Sequence, residues 1–299
     1  MKKPFPKWAV FLLSFLFVIL LGALWFFSRP PVLLLTDMTF EVLYGRDRGR
    51  GERLAASLGL FRRIVPVPIA ESAGPEVILL AAEEAAAAPH CVLFPYRFLE
   101  GGRRYREQHP EIPALVLGGR VRDIHEGTVY TNTQFDMYRA GAAAALIAGD
   151  NPGAVLVFTD GWTGESDRRA FQTGLRDQGS AGTPLYLNGG QEEYNFDQEI
   201  ACAVIAGPAP VYFDLNLKAP LILFSWANPA QTPWMVKVIF DDSPWGVLKE
   251  AVGRAVGGGE GDIPSKMLIL QDRLGDLAGV LRKKVPGDPL FLGSPGGIQ

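Results

Sequence analysis

Three histidines and two cysteines leave this 299-residue chain little of the usual equipment for metal or thiol chemistry. His90, His109 and His125 have no histidine partner at helical spacing, and no Cys-x-x-Cys occurs, so the common zinc patterns are excluded. There is no G-x-S-x-G elbow and no G-x-x-x-x-G-K-[ST] loop, which removes the usual hydrolase and P-loop signatures. "VGGGEGD" (256–262) is rich in glycine, but it follows a helical pattern rather than a strand and reads as a link. Asp241–Asp242 lacks a third acid at a useful spacing, which argues against a metal-dependent glycosyltransferase. No cofactor and no enzymatic activity are expected. Cys91 and Cys202 each lie in an apolar run and read as buried free thiols, with a disulfide as the alternative that an oxidising compartment allows.

Positive charge is also short, with 29 Lys and Arg against 32 Asp and Glu. Four of the basic residues, Lys2, Lys3, Lys7 and Arg29, fall in residues 1–29, which hold no acid. Removing these four from the formal −3 leaves −7 for residues 30–299. An acidic domain makes a poor nucleic-acid binder, because phosphate contacts need a basic surface.

Long apolar runs are absent but for one. Ala9–Phe27 carries no charge and is just long enough to span a bilayer as a helix. The lysines before it place the N-terminus in the cytoplasm and the rest outside. A cleaved signal peptide is the competing reading, but the only small residues near its end, Gly22 and Ala23, are followed by bulky Leu24, Trp25 and Phe26. No Cys follows the run to carry a lipoprotein anchor. The expectation is a single-pass cell-membrane protein with an extracytoplasmic (periplasmic) C-terminal domain, secreted if the segment is cleaved.

What remains alternates between short apolar runs and helical patterns, the signature of an α/β fold with parallel sheets. Strands are expected at 31–37, 63–69, 90–96 and 113–119, with helices at 48–61 and 75–88 and a polar helix or loop between the last two strands. A second series follows: strands at 127–132, 153–160 and 183–188, with helices at 134–149 and 164–179. "NFDQEIACAVIA" (195–206) reads as a helix, and 209–215, 219–227, 233–242 and 266–272 as strands, with a helix at 243–256. The expected organisation is an anchor over 1–29, one lobe over 30–130 to which about 241–264 returns, and a second lobe over 131–240 with about 265–285 as a terminal crossover. Residues 286–299 read as a loose tail.

In this pattern "AGAAAAL" (140–146) precedes a turn and a strand, followed by the arginine-containing helix "RRAFQTGLRDQG" (168–179). The segment resembles the second lobe of the type I periplasmic binding proteins. "MVKVIFDDSPWGVLKEAVGRAV" (235–256) resembles the crossover found in the basic membrane protein (nucleoside-receptor) family. The resemblance runs from Pro31 to about Val285. It departs from the family at Ala170–Phe171, where many relatives have Gly-Phe, and in the missing lipoprotein cysteine. It implies two Rossmann-like lobes with parallel sheets, joined by a multi-strand hinge and closing around a small polar ligand such as a nucleoside, purine or sugar. It also implies an ABC permease or a membrane sensor as partner. A ligand-free scaffold or interaction module on the same fold is the alternative.

In open α/β sheets ligands sit beyond the carboxyl ends of the strands. The strand ends and the entry of the helix at 134–149 therefore supply the candidate ligand-binding residues: Asp37, Phe40, Asn132, Asp136, Asp160, Trp162, Asp214, Trp226 and Asp241. Acids and amides suit hydroxyl groups, and tryptophans suit flat ring faces. Asp136 has two readings, as complement to the helix dipole or as ligand contact, the second implied by the nucleoside-receptor resemblance. Trp234 and Trp245 read as hinge packing, and Arg168 and Arg169 as surface ion pairs with Glu165 or Asp177.

Overall fold

The computed structural model describes residues 7–38, 46–70, 72–119, 127–159, 164–180, 184–188, 199–206, 218–224, 233–241, 243–257, 261–287 and 290–292. The chain divides into two compact units, Met1–Val116 with Leu248–Gly259, and Leu117–Val247 with Glu260–Gln299.

Unit 1 starts with α1 (Lys7–Ser28), whose Phe11–Ser28 stretch has a mean hydropathy of 2.5 and is long and apolar enough to cross a membrane. Pro30 and Pro31 follow. Proline supplies no N–H and disfavours helix in the residue before it, so the chain switches to extended backbone. The unit then alternates β1 (Val32–Thr36), α2 (Arg46–Leu60), β2 (Ile64–Pro68), α3 (Pro75–Ala85), β3 (Cys91–Pro95), α4 (Leu99–Gln108) and β4 (Ala114–Gly119). The strands lie in the order β4-β3-β1-β2, with β1 parallel to both β2 and β3. Pro66 and Pro68 are accommodated because β2 lies at the sheet's edge, where a missing backbone donor costs no ladder bond. Strands β1 and β3 are buried on both faces, which explains their unbroken apolar runs. Leu33, Leu35, Val92 and Phe94 pack with Ile78 and Leu79 of α3 and Tyr105 of α4.

Unit 2 contains β5 (Thr128–Thr131), α5 (Thr133–Ala148), β6 (Ala154–Thr159), α6 (Glu165–Asp177), β7 (Pro184–Asn188), β8 (Ile200–Ala206), β9 (Leu221–Phe224) and β10 (Val236–Asp241). Helix α7 (Pro244–Gly257), β11 (Gly261–Ile263), β12 (Lys266–Leu270), α8 (Leu277–Lys284) and β13 (Leu290–Leu292) complete the chain. Strand β11 pairs in parallel with β5. The remaining seven strands form a sheet in the order β13-β12-β10-β9-β8-β6-β7, parallel except where β12 runs antiparallel to β10.

Two expectations are corrected here, and one element was not expected. Residues 200–206 form the central strand β8 rather than a helix, fully buried from Ala201 onward between β6 and β9. A short run of small and branched apolar residues has no period that separates a buried strand from a buried helix. The tail read as loose contributes β13, which pairs with β12. Helix α8 was not read, because only Ala278 and Leu281 of its eight residues are buried. The expected strand at 209–215 lies outside the described residues.

The small-residue run of α5 serves its helix neighbour as well as the sheet. A Cβ on Gly141 would collide with the Phe171 carbonyl oxygen of α6, and one on Gly174 with the Tyr138 carbonyl of α5. The two helices therefore cross backbone to backbone, while Ala142–Ala145 pack in the core formed with β6 and β8.

Candidate functional site

Strand order determines where each sheet can hold a ligand. From β1 the chain crosses to β2 on one side, then returns to β3 on the other. Successive connections leave in opposite directions there, which is where open α/β sheets place their ligands, beyond the carboxyl ends of the two strands. The same reversal occurs in unit 2 between β6 and β8, with β7 on one side of β6 and β8 on the other.

At the first reversal the structure places a charged pair. Asp37 directly follows β1, and Arg97 lies in the single turn after β3, where Tyr96–Phe98 are held as a 3₁₀ segment. Arg97 Nη1 stands 3.1 Å from Asp37 Oδ2. The Asp37 side chain is only 4% exposed and that of Arg97 46%. The carboxylate is thus held by the fold, while part of the guanidinium is open to an acceptor. Such a pair can accept a hydrogen bond from a hydroxyl at the acid and donate to an oxygen or stack on a ring at the arginine. Arg97 is not among the sequence candidates, which are acids, amides and aromatics at the ends of other strands. Its signal was its position, two residues past β3.

The other candidates in the described residues have their side chains engaged locally. Asn132 caps α5, with Oδ1 accepting from Phe135 N at 2.9 Å. Asp136 is 1% exposed and accepts from Arg139 Nη2 and from Ser265 N at 3.2 Å. Arg139 also donates to Ser265 O at 2.6 Å, and its guanidinium lies over the rings of Phe135 and Phe240. Burial raises the Asp136 carboxyl above its ordinary range, against the pull of Arg139 and Ser265. This network ties α5 to the turn before β12. Asp241, at the end of β10, accepts from Ser243 N at 3.2 Å and from its hydroxyl, and Ser243 Oγ in turn accepts from Gly246 N in the first turn of α7.

At the second reversal Thr159 ends β6 fully buried, its hydroxyl donating to Leu187 O at 3.2 Å. Phe40, Asp160, Trp162, Asp214 and Trp226 lie outside the described residues. Trp245 is buried and Trp234 is exposed beneath Lys237 and Arg273. Arg169 pairs with Glu165 at 3.1 Å, and Arg168 lies over Tyr186. Among the described residues no group of three or more His, Cys, Asp or Glu is placed to hold a metal. Cys91 and Cys202 are buried free thiols.

No protein-family model matches the chain, and no curated protein does. Solved structures do. A transcriptional activator of the comK gene from Bacillus halodurans aligns over 85% of this chain and 97% of its own, at 12% identity and a TM-score of 0.55. An ABC transporter solute-binding protein from Agrobacterium vitis, bound with alpha-D-tagatopyranose, aligns over 87% and 100% at 11% identity and a TM-score of 0.50. A LacI transcriptional regulator from a Rhodococcus species aligns over 79% and 94% at 13% identity and a TM-score of 0.50. At such identities the likeness is one of fold: the chain has the two-sheet α/β architecture of the type I periplasmic binding proteins.

Proposed function

We propose that this chain is an extracytoplasmic solute-binding protein, tethered to the cell membrane by α1, that holds a small polar ligand at the carboxyl ends of its parallel strands. The observation that carries the reading is the buried Asp37 with its half-exposed partner Arg97, placed where the strand order of unit 1 reverses. The ligand class is a hydroxyl-rich ring, a sugar or a nucleoside. A sugar is supported by the solute-binding protein of the same fold that carries tagatose. Asp160, Trp162 and Asp214, which follow β6 and β8 in sequence, are further candidates for ligand contact. Trp162 and Trp226 are the stacking candidates. Delivery to an ABC permease or to a membrane sensor follows as the cellular role. Binding is the activity, and no bond is broken.

The test is a thermal-shift screen of the full chain in detergent against monosaccharides and nucleosides. A ligand at a hundred times its Kd stabilises the folded state by about 2.7 kcal/mol, a readily measured shift. A hit among sugars or nucleosides is expected. A folded protein with no hit across both classes favours the scaffold reading instead.

A further inference from the structure

Helix α1 ends at Ser28 and β1 begins at Val32, so the amino edge of the first sheet lies within a few residues of the point where α1 ends. The contacts there are specific. Arg29 lies over the Trp25 ring at 4.6 Å and donates to Phe61 O at 3.3 Å. Trp25 meets the Phe61 ring at 6.3 Å between centroids. Arg62 donates to Pro30 O at 3.2 Å, and Arg63 lies over Phe27.

Phe61 holds an unusual position. Helix α2 closes with Arg62 N bonded to Ser57 O and Phe61 N to Leu58 O, and Phe61 has a φ of +50°. This is the left-handed closing position that glycine normally fills. Phe61 is also exposed, and it continues a stripe of Leu54 and Leu58 at i, i+4 and i+7, all three more than 60% exposed. A helix that met only water would carry polar residues on that face.

We propose that this stripe and the arginines around the end of α1 form a lipid-seating surface, which rests unit 1 on an anionic phospholipid leaflet. The proposal depends on α1 being a membrane anchor. Trp25 and Phe61 suit the headgroup level, where aromatic rings concentrate, and Leu54 and Leu58 suit shallow insertion. Arg29, Arg62 and Arg63, gathered around the end of α1, supply the positive charge that meets lipid phosphates. The acidic remainder of the exported chain is repelled by the same leaflet, which orients the domain. The Asp37–Arg97 end of β1 then faces away from the lipid by the length of the strand, about 16 Å.

The experiment uses the full chain in vesicles of phosphatidylcholine and phosphatidylglycerol, with a single nitroxide at Val18→Cys, Leu58→Cys or Val77→Cys. Cys91 and Cys202 stay unlabelled, since both are buried and their thiols are pushed up to about 12. Accessibility to oxygen reports lipid, and accessibility to a water-soluble nickel complex reports solvent. Labels at Val18 and Leu58 are expected to favour oxygen, Val18 more deeply, while the label at Val77, exposed on α3, favours nickel. Phe61→Gly, compatible with the left-handed position, moves the Leu58 label toward nickel, and so does omitting phosphatidylglycerol. A lipid signal at Val18 with a water signal at Leu58 overturns the seating surface and leaves the anchor standing. A water signal at Val18 overturns both. A Leu58 label shielded from both reagents marks a protein contact and overturns the lipid assignment.

Discussion

Asp37 and Asp136 are both nearly hidden from water and both face an arginine, yet the two pairs differ in how far the arginine is open to solvent. Around Asp136 the partner arginine is buried as deeply as the acid, and the backbone of Ser265 closes the network from both sides. Around Asp37 the acid is buried and the arginine is half open. A charge pair sealed on all sides is a fastening. A pair with one member open, at a reversal of strand order, can hand its unused donors to a visitor. The exposure of the partner, not the depth of the acid, separates the two.

Breaking the sealed pair has the largest expected effect. Asp136→Ala leaves Arg139 buried without its counter-charge and lowers stability by about 3–5 kcal/mol, measured by chemical denaturation. If Asp136 were open to solvent the loss would stay under about 1 kcal/mol. Arg97→Ala should reverse the balance: a smaller loss of stability than Asp136→Ala, because water reaches the open side of this pair, but tenfold or more in ligand affinity.

Smaller effects sharpen the contrast between the two ends of the first sheet. Phe61→Gly removes the left-handed strain and raises stability by up to about 1 kcal/mol in detergent, read as a higher melting temperature. His90, at the amino edge, is lowered below its ordinary 6.5 by burial and then by the charges of Arg62 and Arg29. Its folded state binds protons less readily than the unfolded chain does. The contribution of His90 is therefore present above pH 6.5 and is lost as pH falls below it. Arg62→Ala moves the His90 midpoint back up, as ring proton resonances would show.

Much of this architecture is written in local patterns. Strands β1, β3 and β6 were legible because parallel strands buried on both faces demand unbroken apolar runs. Helix α6 was legible because its apolar residues recur at helical spacing. Strand β8 was not, since Ile200–Ala206 is apolar throughout and carries no period, and its strand state comes from pairing with β6 and β9. Nor could the reversed direction of β12 be read, because it depends on the order of strands in space. The site divides in the same way. Asp37 was marked by its place after a strand. The pairing with Arg97 needed the neighbour relation of β1 and β3, and the sealing of Asp136 needed Ser265, 129 residues away in sequence.

The central claim is that the Asp37–Arg97 end of the first sheet binds a small polar ring. Calorimetric titration of the best sugar or nucleoside from the screen into the wild-type chain and Arg97→Ala tests it most directly. The account predicts saturable binding to the wild type and an affinity at least tenfold weaker in the variant, with both proteins folded. Equal affinities would contradict it.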